Sequence, residues 1–335
     1  MAATSIASPS DFDHGTKFNY PGTIENNRSL LGSRFSFILS NHRLTATVVP
    51  ELGRITWLSM AAGKGLGKGT FDWIWTNFHV NPNEPWKKWG GSKTWLAPRS
   101  NWLESDDAKR LPDPSWTTVV KSEILPKNIL QTTGALSPNS GIRLTHRYWN
   151  DEAGNFVTRQ TAEKIFGKPV NMSLWSTTQI MTPKAVFFVL DDGDTIDDSR
   201  KALEGKADFN CEQRKNIGCY YPHATELMRF GIKTSTPVLA ALTNDQLFVL
   251  RATPHSATYP DAIPSAPNGF SLEIRDNSSD HDPTVELDLL SPLRKAWMGS
   301  KWTFTVKWNI YALSTSDTKS PQLWNEVSHI LNAKY

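Results

Sequence analysis

Two carboxylates, Glu286 and Asp288, stand two residues apart in "TVELDLL", alternating with Val285, Leu287 and Leu289. Side chains point to opposite faces of a strand in turn, so both acids share one face and the aliphatic residues share the other. Neighbouring carboxylates raise one another's pKa, which suits proton transfer. A second concentration of chemistry lies earlier, in "WGGSKTWLAPRSNW" (89–102), with three tryptophans, Lys93 and Arg99. Seven of the chain's 14 tryptophans fall between Trp73 and Trp116. A core does not need that density, and an indole N–H is awkward to bury without a partner. Asn77, His79, Lys87, Lys88 and Asn101 lie among the rings. Flat rings beside amide and cationic donors suit a sugar, whose C–H groups stack while its oxygens take hydrogen bonds. Lys93 and Arg99 would clamp carboxylate or phosphate oxygens, pointing to an acidic or phosphorylated sugar. Gly90 and Gly91 would let backbone approach a ligand closely. The competing reading is ordinary core rings with solvated charges.

The elements that must position these groups are strands. "GFSLEIRD" sets Phe270, Leu272 and Ile274 against Ser271, Glu273 and Arg275, and "WTFTVKWNI" alternates Trp302, Phe304, Val306, Trp308 and Ile310 with polar residues. Similar runs occupy 34–40, 43–49, 70–78, 141–149, 170–180, 185–190, 238–242 and 247–252, separated by turn signals such as "DEAGN" and "DDGD". Many short alternating strands predict an all-β sandwich or barrel, each strand having one face on a core and one on a more polar space. One helix is predicted over 320–333, with Ser320 as N-cap and Pro321 at its first position. Leu323, Trp324, Val327, Ile330 and Leu331 form its apolar stripe, expected to cover an edge or end of the sandwich. Residues 197–218 read as a polar loop with a short helical turn. The division expected is a polar lead-in over 1–29 and one domain over 30–335.

Composition excludes several classes. The charge is +3, from 36 basic and 33 acidic residues with interspersed signs, so no basic block grips a phosphate backbone and nucleic acid is not expected. No run approaches the ~20 apolar residues of a membrane span. The N-terminal residues lack a basic n-region followed by an apolar h-region, so the expected location is cytoplasmic. Cys211 and Cys219 fit no zinc spacing and read as free thiols, with a local disulfide as the alternative. The eight histidines include no pair at i, i+2 or i, i+4, so neither a metal nor another cofactor is expected. The expected partner is a sugar or oligosaccharide, and the expected state a monomer or weak dimer.

Several segments in order carry a family resemblance: "VVPELGRITWLS", "FDWIWTN", "WGGSKTWLAPRSNW" followed by "LPDPSW", "GIRLTHRYW", "VNMSLWSTTQIMTP", "ATYPD" and "TVELDLLSPL". From about residue 30 to 312 the chain resembles the galactose-mutarotase-like superfamily, in a branch marked by GG-[DS]-K-x-W-x-A-P and V-E-L-[ED]-x-x-S-P-L segments. The resemblance implies a two-sheet antiparallel β-supersandwich whose concave sheet binds carbohydrate. It also implies general acid–base chemistry, in which a carboxylate takes the anomeric hydroxyl proton and a histidine protonates the ring oxygen. Glu286 matches the base. The histidine has no match: the enzymes carry N-x-T-N-H where this chain has Asn171, Met172, Ser173, Leu174 and Trp175, and an indole N–H is no acid. His79 is the first substitute, with Lys93, His223 and Tyr259 behind it. Trp89, Trp95 and Trp175 would serve as stacking platforms, and Gln179, on the same strand face as Trp175, would bond a hydroxyl. Two other readings stay open. One is a carbohydrate-binding module without chemistry. The other is a polysaccharide lyase or hydrolase using Tyr220, Tyr221 or His223 as base, with Arg99 as neutraliser.

Overall fold

The computed structural model describes residues 23–27, 35–61, 72–74, 76, 89–104, 110–205, 210–223, 227–261, 267–277 and 283–333. Two large antiparallel sheets dominate, one of 11 strands and one of 10, with a small two-stranded ribbon beside them. The first sheet runs from the N-terminal hairpins through Arg54–Met60 to Ser92–Ala97, Val170–Met181, Thr284–Leu290, Leu272–Asn277, Met228–Ile232 and Arg200–Glu204. The second holds Ile142–Asn150, Phe156–Lys164 and Lys301–Ala312 at its centre.

Alternation decides which side chains meet between the layers. Leu96, Leu174, Leu287, Ile274 and Phe230 project inward from the first sheet, and Leu144, Phe156, Leu250 and Trp308 meet them from the second. The inward direction is fixed by two contacts across the gap. Tyr220 of the second sheet packs edge-on against Phe230 with centroids 5.0 Å apart, and its Oη donates to Asp276 Oδ2 at 2.5 Å. The opposite set, Lys93, Trp175, Thr177, Glu273, Arg275, Glu286 and Asp288, therefore lies on the outer face of the first sheet.

Four expectations change. All seven residues of Thr284–Leu290 are buried, so the polar face of that strand is enclosed as well as the apolar one. The 197–218 segment contains a helical turn, Ile196–Ser199, but also the strands Arg200–Glu204, Cys211–Arg214 and Ile217–Tyr220. The Cys211–Arg214 strand alternates weakly and is a strand because it pairs with its hairpin partner. Within 70–78, the described residues make only isolated bridges, Ile74 to Ile180 and Thr76 to Gly90. The C-terminal helix, Pro321–Asn332, covers a face rather than an edge: Leu323, Trp324, Val327 and Leu331 pack on Phe187, Val189, Val238 and Val249 of the second sheet's outer side. Ser320 caps it, accepting from Gln322 N, and Arg251 donates to the carbonyls of Ile330 and Leu331 at its other end. Both cysteines are unbonded, and burial raises both thiol pKa values, that of Cys211 to about 11. Among the described residues, no helix is long and apolar enough to cross a membrane.

Candidate functional site

Register builds the site, because residues paired across strands share a face. Lys93 pairs with Thr177, Thr177 with Asp288, Asp288 with Glu273, and Glu273 with Gly231. This is one rung across five strands. The adjacent rung runs Gln179, Glu286, Arg275, Arg229 and Glu204. A third begins with Trp95 and Trp175. Lys93 and Thr177, 84 residues apart, and Thr177 and Asp288, 111 apart, thus converge on one patch through pairing.

The patch is dense in charge and short of partners. Arg229 holds Glu273, with Nε to Oε2 at 2.8 Å, and also pairs with Asp261 at 3.0 Å. Arg275 Nη1 lies 3.8 Å from Glu286 Oε2, beyond hydrogen-bond reach. Among the described residues, Glu286 Oε2, Glu273 Oε1, both Asp288 oxygens, Thr177 Oγ1, Arg275 Nε, Arg99 Nε and Trp175 Nε1 are buried without a hydrogen bond. Each such group costs about 1–3 kcal/mol, so eight on one patch is far above what a stability-optimised interior leaves.

Burial also sets the titration. Desolvation, then the neighbouring Glu286 and Glu273, push Asp288 up to about 8; Thr177 across the rung offsets little, and no hydrogen bond of good geometry reaches either oxygen. Desolvation pulls Lys93 down to about 8, against the pull of Glu286. Desolvation together with Arg229 and Arg275 lowers Arg99. Burial raises Glu273 although Arg229 opposes it.

The tryptophans frame this patch but present little free surface. Trp175 is wholly buried, stacked on Trp102 with centroids 5.7 Å apart and edge-on to Trp95 at 5.7 Å. The guanidiniums of Arg99 and Arg229 lie 5.2 and 5.3 Å from its ring. The stacking surface expected of Trp175 is thus occupied by the chain's own groups. Lys93 Nζ sits 4.6 Å from the Trp95 ring, which is itself buried. Arg99, on the turn Arg99–Asn101, comes within 3.8 Å of Glu204 on the far edge strand. Five strand spacings of about 4.8 Å separate those strands in a flat sheet, so the contact makes the face a hollow.

Lys93, Arg99, Trp95, Trp175, Gln179, Glu286 and Asp288 therefore lie together on one patch of the first sheet. Gln179 already donates to Thr284 Oγ1 at 3.0 Å. Trp89 instead packs on Val49 and Leu52 in a small separate cluster. Asn77 and His79 lie outside the described residues. Gly90 and Gly91 serve the fold: Arg54 Nη1 donates to Gly90 O at 2.6 Å, and a Cβ on Gly91 would sit 2.7 Å from Ile55 O. The residues grouped for the lyase reading do not converge. Tyr220 points into the inter-sheet core, Tyr221 lies on the opposite face with its Oη on Glu212, and the exposed His223 bonds the Tyr221 carbonyl. Tyr259 is buried with its Oη on His255 O. Arg229, Glu273 and Thr177 were missed as site residues. Glu273 and Arg275 were legible as the polar face of "GFSLEIRD", whereas Arg229 carried no signal in "ELMRFGI". Among the described residues no group of three or more His, Cys, Asp or Glu side chains is arranged to hold a metal ion.

No protein-family model and no curated protein sequence matches the chain. Solved structures do. A galactose mutarotase-like protein from Lactobacillus casei superposes with a TM-score of 0.54 at 10% identity, over 82% of this chain and 100% of its own. One from Clostridium acetobutylicum superposes with a TM-score of 0.52 at 10% identity, over 88% of this chain and 99% of its own. The chain has the galactose mutarotase-like fold. A galactose mutarotase related enzyme from Lactobacillus acidophilus, with a TM-score of 0.50 at 7% identity, covers 84% of this chain and 99% of its own. At such identities the likeness carries architecture and no residue role.

Proposed function

We propose that this galactose mutarotase-like chain binds an anionic sugar in the hollow of its first sheet and moves a proton at the anomeric centre. The observation that carries the reading is the set of eight buried, unpartnered polar atoms on one patch, six of them on two adjacent rungs. A polyhydroxyl ligand with a carboxylate or phosphate supplies the missing donors and acceptors, and Arg99, Arg275 and Lys93 favour its negative charge. Glu286 is the base that takes the anomeric hydroxyl proton. Lys93, two strands away, is the donor to the ring oxygen. At ~4.8 Å per strand the two backbones stand roughly 10 Å apart, with Lys93 and Glu286 on either side of the Thr177 strand. With its pKa near 8, Lys93 is mostly protonated at neutral pH and gives its proton readily. Polarimetry tests this. The chain should speed mutarotation of sugar acids or sugar phosphates, and Glu286→Gln should lower the rate by about 10²–10⁴. The rate should fall as pH rises through about 8, where Lys93 loses its proton. Equal rates for the chain and Glu286→Gln would remove the enzymatic claim.

A second reading, binding without turnover, draws support from the absence of any described histidine on the two rungs and from the burial of Trp175, which the resemblance aligns with the missing acid. Calorimetry separates the two: saturable sugar binding that survives Glu286→Gln with no change in anomer ratio over time favours the module.

A further inference from the structure

A cleft of roughly 370 Å³ opens at one end of the sandwich, between the layers and away from the Glu286 rungs. Its size suits a monosaccharide-sized molecule. Met172 lines it from the inward face of the Val170–Met181 strand, and Lys164 from the last inward position of Phe156–Lys164. The turn Pro114–Trp116 brings in Trp116, and Trp102, Asn139 and Lys168 complete the wall that matters here.

Lys164 is the anomaly. The inward positions before it are Phe156, Thr158, Gln160 and Ala162, and the alternation brings a cation to an enclosed site where only 2% of it is exposed. Its ammonium has three N–H donors, and its one hydrogen bond among the described residues goes to Ser140 O at 2.5 Å. No described carboxylate lies within ion-pair distance of it. Asp113 also lines the cleft, but its oxygens already accept from Ser115, Ser137 and Asn139. Trp116 is buried to 3% exposure and its Nε1 has no acceptor. The cleft therefore offers two cations, an orphan indole donor and two aromatic walls, and the open valences of Lys164 and Trp116 ask for an acceptor.

We infer that this cleft is a second binding site, for a carboxylate-bearing monosaccharide. The carboxylate sits against Lys164 and Lys168, a ring oxygen accepts from Trp116 Nε1, and the C–H face of the sugar lies on Trp102. The site is separate from the Glu286 hollow, although Trp102 also stacks on Trp175 and so touches both.

Indole N–H signals in a ¹H–¹⁵N spectrum of the whole chain test this. The Trp116 signal is assigned by its loss in Trp116→Phe. D-glucuronate should shift it saturably, in the unaltered chain and equally in Arg275→Gln, while D-glucose leaves it in place. A Trp116 signal that glucuronate does not move, or that glucose moves as strongly, overturns the inference. A shift that vanishes in Arg275→Gln also overturns it, because the signal then reports the Glu286 hollow; failure of the hollow to bind sugar leaves the Trp116 shift intact. Should Trp116→Phe not fold, Lys168→Gln, an exposed change, gives a second measure by calorimetry. Glucuronate affinity at the cleft should weaken about fivefold, the effect of losing one partly screened charge, and an unchanged affinity overturns the proposal.

Discussion

Asp288 concentrates the residue-scale physics. Its carboxyl is wholly enclosed, has Glu286 two positions along its strand, and is raised from 3.8 to about 8. The folded chain therefore holds a proton there that the unfolded chain has released, between pH 3.8 and about 8. Stability from this group is fully present below pH 4 and is lost as pH rises through that window, with a slope of at most ~1.4 kcal/mol per pH unit. Lys93 acts in the next window and with the other sign: lowered to about 8, it binds its proton more weakly in the fold, so stability rises with pH between about 8 and 10.5. Asp288→Asn keeps the shape and removes the first titration. Thermal unfolding from pH 5 to pH 8 should show the unaltered chain losing ground steadily to Asp288→Asn. Parallel curves would mean that Asp288 is solvated and the hollow is not enclosed. The orphaned oxygens make the same point from geometry, since a fold keeps such groups at a cost of about 1–3 kcal/mol each only where something else uses them.

The elements explain how side chains so far apart in sequence meet. The Lys93 strand, the Trp175 strand and the Glu286 strand are neighbours through antiparallel pairing, and a slip of one residue would turn Lys93, Thr177 or Asp288 into the core. The Gly90–Gly91 turn helps hold that register. Gly91 has a φ of +75° and lies against the Ile55 carbonyl, while Arg54 ties down Gly90. Gly91→Ala should cost about 1–3 kcal/mol in urea unfolding, from backbone strain plus the displaced carbonyl. It should also weaken sugar binding more than an equally destabilising change in the C-terminal helix, such as Leu323→Ala, whose side chain packs on the far side of the other sheet. Equal loss of binding in the two variants would show that register at Lys93 does not matter to the hollow. The strand Ser92–Ala97 that carries Lys93 was not among the runs read as strands, whereas the polar face of "GFSLEIRD" was legible beforehand. The strand character of 211–214 was not, because a weakly patterned segment becomes a strand only when a partner is present to pair with it.

At the scale of the molecule, a balanced +3 chain gathers its cations locally, with Lys93, Arg99, Arg229 and Arg275 around the hollow. Ligand stabilisation should therefore follow ligand charge. At about a hundred times its Kd, a sugar acid should add roughly 2.7 kcal/mol and raise Tm, with a neutral sugar of the same ring doing less and Arg275→Gln narrowing the difference to what the cleft at the sandwich end contributes. A thermal shift indifferent to charge would point away from an anionic ligand. By itself the sequence determined the all-β sandwich, the capped terminal helix, the shared face of Glu286 and Asp288, and the aromatic-cationic character of 89–102, because alternation, caps and composition are local properties written along the chain. Only the tertiary structure decided that Arg229 and Glu273 join the hollow, that Trp175 is packed away, that Trp89 belongs elsewhere and that Lys164 is enclosed at the sandwich end. Those outcomes depend on which strands pair, in which register, and on what the opposite layer covers, and no local pattern encodes that.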